Sequence, residues 1–133
     1  MTASLLAGRA LAQVMMSVSD LPRAIDFYRD VLGLPFLFET NGMAFFQLAG
    51  TRLMVGCHPD HPPAPGGSCL YFDAPDLPAL AATLETRGVA FSGPAVVLQK
   101  EAAGDLTLRP FTDPDGNLLA LLGLVARQHT SGQ

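Results

Sequence analysis

The sequence predicts an α+β protein in which one βαβββ module occurs twice, and three observations carry that expectation. Val18-Ser19-Asp20-Leu21-Pro22 realigns with Ala74-Pro75-Asp76-Leu77-Pro78 at a shift of 56 residues. Gly50-Thr51-Arg52-Leu53-Met54-Val55 realigns with Gly116-Asn117-Leu118-Leu119-Ala120-Leu121 at a shift of 66. Between these anchors each half has the same order of signals: a strand, an amphipathic helix, then three strand-like segments separated by turn residues. The ten residues by which the two shifts differ are expected in loops of the second half.

Module one is expected over about residues 9–57. Its first strand, Ala12–Val18, alternates so that Gln13, Met15 and Ser17 share one face, while Val14, Met16 and Val18 share the other, which is apolar enough to lie beneath a helix. The helix follows from Leu21, Ala24, Ile25 and Tyr28, spaced to line one face, with Asp20 as N-cap, Pro22 in the first turn and Gly33 as terminator. Strands are expected at Phe36–Glu39, Met43–Leu48 and Arg52–Cys57. Residues 58–67, HPDHPPAPGG, lack periodicity and read as a linker. Module two, about residues 68–126, repeats the plan. It has a strand at Cys69–Ala74, a helix with the stripe Leu77, Leu80, Ala81 and Leu84 between Asp76 and Gly88, and strands at Val96–Lys100, Leu106–Phe111 and Leu118–Leu124. Asp113-Pro114-Asp115-Gly116 suits a type I turn feeding the last of these, whose unbroken apolar run needs cover on both faces. Residues 130–133 read as a frayed tail.

Composition narrows the function classes. The chain of 133 residues is within the range of one domain that buries a core without disulfides or a structural metal. Charged residues are only 15% and the formal charge is −4, with no Lys/Arg cluster on either helix, which disfavours nucleic acid as a partner. No apolar stretch approaches the roughly 20 residues of a membrane helix. The N-terminal MTASLLAGRALAQV lacks the charged and apolar regions of a secretory signal, so a cytoplasmic location is expected. Cys57 and Cys69 lie in apolar strand segments and read as small buried hydrophobes. A small-molecule ligand is the expected partner.

VSDLPRAIDFYRDVLGLPF in the first half and FTDPDGNLLALLG near the end resemble the vicinal oxygen chelate superfamily, which includes glyoxalase I, extradiol dioxygenases, and the fosfomycin- and bleomycin-resistance proteins. The resemblance covers nearly the whole chain and lies in the combination of motifs. It implies paired βαβββ modules whose sheets curl into a cleft-enclosing half-barrel with the helices outside, and a homodimer.

Metal-dependent members of that superfamily place His, Gln or Glu ligands on the first and last strands of each module. Carried onto this sequence, the four positions are Gln13, Met54, Cys69 and Ala120. A methyl group has no donor, a thioether is a poor ligand for hard divalent ions, and a thiol with one amide is too small a set for a typical zinc site. The expectation is therefore no metal and no cofactor. His58 and His61 flank prolines in a loop and share no strand or helix face, and His129 falls in the tail.

The residues expected to line the ligand cleft are Gln13, Met15, Ser17, Arg52, Met54, Cys69, Tyr71, Arg109, Leu118 and Ala120, with Asp73 on the same strand face as Cys69 and Tyr71. Pro110 suggests that the strand carrying Arg109 lies at a sheet edge, where Arg109 either anchors an anion or faces solvent. Three functions remain open. The first is a metal-free binding protein that sequesters a toxic or antibiotic compound. The second is a glyoxalase-like lyase or isomerase, or a dioxygenase-related enzyme, using Gln13, Cys69, Tyr71 or a metal. The third is an interaction module whose cleft is filled by side chains.

Overall fold

The computed structural model describes residues 5–57, 62 and 69–127. The linker apart from Pro62, with His58 and His61, lies outside the described residues, as do His129 and the tail. The chain divides into two compact units, residues 1–63 and 64–133. The class is α+β: each unit carries one four-stranded mixed sheet, not closed into a barrel, and one helical segment.

In unit one the strands are β1 (Gln13–Ser17), β2 (Phe36–Thr40), β3 (Met43–Gln47) and β4 (Arg52–Gly56), in spatial order β1-β4-β3-β2. β1 runs parallel to β4, which requires a crossover, and the helix between β1 and β2 lies on that connection. The predicted stripe is the buried one: Leu21, Ala24, Ile25 and Tyr28 pack on the side of the sheet that carries Met16, Phe46, Leu53 and Val55. Tyr28 is wholly buried and its hydroxyl donates to Met16 Sδ at 2.9 Å. Asp20 caps as expected, accepting from the Arg23 N–H at 3.0 Å, and Gly33 closes the segment with φ +76°. The winding differs from expectation. Only Leu21–Ile25, α1, is α-helical; Asp26–Val31 continue as a π-helix, in which the Leu32 N–H reaches back five residues to the Phe27 carbonyl at 2.9 Å.

In unit two the strands are β5 (Cys69–Asp73), β6 (Val96–Glu101), β7 (Gly104–Thr112) and β8 (Leu118–Val125), in order β5-β8-β7-β6, with β5 parallel to β8. α2 (Leu77–Thr86) packs on β8 through Leu77, Ala81 and Leu84, with Leu80 half-buried at the margin of the stripe. Asp76 does not cap this helix: its side chain makes no hydrogen bond to the first turn. The ten additional residues are not confined to loops, because β7 has nine residues where its counterpart β3 has five.

Registers of the two sheets coincide under the repeat. Gln13 pairs with Arg52 and Met15 with Met54 in unit one; Cys69 pairs with Leu118 and Tyr71 with Ala120 in unit two. The backbone closes in the same way beyond each pair, with the Val18 N–H donating to the Gly56 carbonyl (2.9 Å) and the Ala74 N–H to the Leu122 carbonyl (2.8 Å).

The turn ahead of β8 is built around a buried carboxylate. Gly116 N–H donates to the Asp113 carbonyl at 3.0 Å, and Gly116 takes φ +83°, open to glycine at little steric cost. Asp113 Oδ1 accepts from the backbone N–H groups of Asp115 (2.9 Å) and Asn117 (2.8 Å), and Oδ2 accepts from Asn117 Nδ2 (2.8 Å).

Candidate functional site

Each sheet has one face against its helix and one helix-free face, and strand register decides which side chains reach the second. In unit one, two rungs matter. The first carries Gln13, Arg52 and Gln47 side by side on β1, β4 and β3; the next carries Met15, Met54, Phe45 and Phe38 on β1, β4, β3 and β2. A polar row therefore lies beside an apolar one. Phe38 and Phe45 stack with ring centroids 4.5 Å apart and planes 24° from parallel. The Arg52 guanidinium lies 5.6 Å from the Phe38 centroid and 5.5 Å from that of Phe45, within cation–π range of both. Gln13 Nε2 donates weakly to Met54 Sδ at 3.8 Å. Gln13, Met15, Arg52 and Phe38 are exposed, whereas Ser17 and Met54 are half-buried.

In unit two the helix-free face holds Cys69, Tyr71 and Asp73 on β5, Leu118, Ala120 and Leu122 on β8, and Leu108 and Pro110 on β7. Tyr71 is 56% exposed and Asp73 is exposed at the end of β5. Ala120, flanked in the sheet by Tyr71 and Pro110, has no exposed surface at all, so it forms floor instead of contact surface. The Cys69 thiol is half-buried and lies 4.0 Å from the neighbouring Leu70 carbonyl.

Arg109 is not brought to this face. It pairs with Leu121, on the helix side, and its strand β7 lies inside the sheet between β8 and β6, not at an edge. Its Nε donates to the Gly93 carbonyl at 3.0 Å and its guanidinium stacks 4.4 Å from the Phe91 centroid, so it ties residues 91–93 to β7. Pro110 is tolerated there for a local reason. Its carbonyl accepts from the Ser92 N–H, so its missing N–H also points away from β8, and β6 has already ended opposite Leu108.

The residues overlooked in the sequence are Phe38 and Phe45. Their strands were expected, but the bulge between Phe36 and Phe38 sets which residue of the Phe36-Leu37-Phe38 run faces Phe45, and alternation alone does not show a bulge.

The donor set does not fit a divalent metal of the kind the superfamily resemblance implies. Of the four positions, Gln13 and Met54 engage each other, Cys69 offers a thiol, and Ala120 offers a buried methyl. Among the described residues no group of three or more His, Cys, Asp or Glu side chains is arranged to hold a metal ion. No described helix is long and apolar enough to cross a membrane.

A family model, the Glyoxalase/Bleomycin resistance protein/Dioxygenase superfamily, matches residues 10–121. The chain belongs to this superfamily. Among solved structures of the superfamily fold, TnmS3, an antibiotic binding protein from Streptomyces sp. CB03234, is 29% identical with a TM-score of 0.70, covering 90% of this chain and 98% of its own. A glyoxalase/bleomycin resistance protein from the same organism is 30% identical with a TM-score of 0.65, covering 85% of this chain and 99% of its own. Metallothiol transferase FosB of Staphylococcus haemolyticus is 36% identical over 47 residues, 35% of this chain. That match spans 34%, about a third, of the FosB length.

Proposed function

We propose that this superfamily member is a metal-free small-molecule binding protein that sequesters a toxic or antibiotic compound on the helix-free faces of its sheets. The observation that carries this reading is the donor chemistry at the four positions: an amide, a thioether, a thiol and a buried methyl group are a poor set for a hard divalent ion. The faces themselves suit an organic ligand, being largely apolar with a few polar handles in Arg52, Gln13 and Tyr71. The full-length likeness to an antibiotic binding protein supports the same reading. The protein acts as a homodimer in the cytoplasm.

A second reading, an enzyme of the same fold, is favoured by the partial match to a metallothiol transferase. The two are separated by one experiment. The purified protein is analysed for metals, chelated with EDTA, and titrated with a panel of antibiotics by calorimetry while each compound is followed by mass spectrometry. Saturable binding that survives chelation and returns the compound unchanged supports the binding protein. One metal per chain, with binding or turnover lost on chelation, overturns it.

A further inference from the structure

We infer that the Arg52, Phe38 and Phe45 cluster of unit one selects flat aromatic ligands that carry a carboxylate, an inference that rests on the binding reading above. The argument begins with charge. Arg52 is exposed, and among the described residues it makes no ion pair; its guanidinium instead lies over two stacked phenyl rings. Packing on the rings limits the guanidinium's freedom before any ligand arrives, so less entropy is lost when its fork of N–H donors engages a carboxylate. The donors of the guanidinium form a planar fork that matches the two oxygens of a carboxylate, and the cation lies about equally far from both rings of the stacked pair, at 5.6 and 5.5 Å.

The second half of the argument is the spacing of rungs. Gln13 and Gln47 flank Arg52 on the same rung, so the polar row offers two amide groups beside the cation, although Gln47 Nε2 is committed to the Leu48 carbonyl at 2.5 Å. The adjoining rung is apolar, with Met15 42% exposed and Phe38 40% exposed. Successive residues on one face of a strand lie about 7 Å apart, the length of a fused two-ring body plus its carboxyl carbon. A molecule of that size reaches from the polar row onto Met15, Met54 and the phenyl pair. Thioethers and phenyl rings both favour contact with aromatic over aliphatic carbon.

The test uses 2-naphthoate and its neutral isostere 2-naphthamide, titrated by ligand fluorescence against the intact EDTA-treated chain; the protein has no tryptophan to interfere. The wild type is expected to prefer the carboxylate by about tenfold, the size of one charge-assisted hydrogen-bonded pair at an accessible site. Arg52→Met, which keeps length and apolar packing, is expected to erase that preference. Arg52→Lys is expected to keep part of it, and raising the salt concentration to shrink it in the wild type. A circular dichroism melt confirms that each variant is folded before it is titrated. If Arg52→Met retains the wild-type preference, or the wild type binds neither probe, the inference is overturned, and the metal analysis still decides the binding reading independently. Naphthoate binding that is present before chelation and lost after it overturns both, because a metal and not Arg52 would then be holding the carboxylate.

Discussion

Gly123 on β8 and Ala74, just past the end of β5, approach so closely that a Cβ built on Gly123 falls on the Ala74 carbonyl oxygen. The contact is backbone against backbone at the junction where the Ala74 N–H donates to the Leu122 carbonyl, so neither side yields by a rotamer change. Gly123→Ala is expected to destabilise the protein by about 3 kcal/mol through overpacking. Gly50→Ala is the control, since a Cβ there meets nothing within 4 Å and its φ is not positive; it should leave the melting temperature unchanged or slightly raised. Thermal melts of the two variants check the contrast, and equal midpoints would show that the approach is not as close as described.

Asp113 is the second point of leverage. Its carboxylate accepts three hydrogen bonds, and both it and Asn117 are buried, at 4% and 8% exposure. Asp113→Ala removes the acceptor used by the Asn117 amide and by two backbone N–H groups, at an expected cost of about 2–4 kcal/mol. At roughly 4 °C per kcal/mol for a domain of this size, the midpoint should fall by roughly 8–16 °C. Asp113→Asn keeps one acceptor oxygen and should lose less. A drop below about 2 °C for the alanine variant would mean the turn holds without its carboxylate.

Addition of nickel, zinc, manganese or iron(II) should leave the melting temperature where it is and create no glyoxalase activity. A metal bound only to the folded state at a hundredfold excess over Kd would contribute roughly 2.7 kcal/mol, well within reach of a melt. A rise seen with zinc alone and abolished in Cys69→Ser would instead identify a thiolate site.

The homodimer is expected from sheet edges and apolar surface. β2 is exposed along its whole length, including Phe36 and Leu37, and Val96, Val97 and Leu98 of the edge strand β6 are 44%, 47% and 54% exposed. Unpaired edges of this kind invite cover by a second chain. Light scattering should give twice the monomer mass at micromolar concentration, and a single monomeric mass would count against pairing.

Much of the fold was legible because its signals are local and repeated. The stripe Leu21, Ala24, Ile25 and Tyr28 is set by helix period alone, and the alternation of Val14, Met16 and Val18 against Gln13, Met15 and Ser17 by strand period alone. The offset of each anchor pair fixed which residues are equivalent in the two halves, so Gln13 with Cys69 and Met54 with Ala120 could be matched without coordinates, whereas the rungs Met15–Met54 and Tyr71–Ala120 depend on strand register. Three features escaped. The π winding after Ile25 leaves the apolar stripe intact, so periodicity does not reveal it. Arg109 was read from Pro110 as an edge residue, whereas Pro110 shows only that one N–H is not needed, and β7 meets that condition by outrunning β6. The Phe38 and Phe45 pair depends on a bulge, which shifts strand register without leaving a compositional trace.

The π-helical segment coincides with a difference in length between the two halves. From the capping Asp20 to the terminating Gly33 is 13 positions, and from Asp76 to Gly88 it is 12. The first copy thus has one residue more between fixed points, and it is in this copy that the winding loosens over Asp26–Val31. A π turn accommodates an additional residue without lengthening the cylinder by a full step or rotating the buried stripe off the sheet. The additional residue is therefore held inside a packed element and not extruded as a loop, so the two helical segments present the same buried stripe to their sheets despite their unequal lengths.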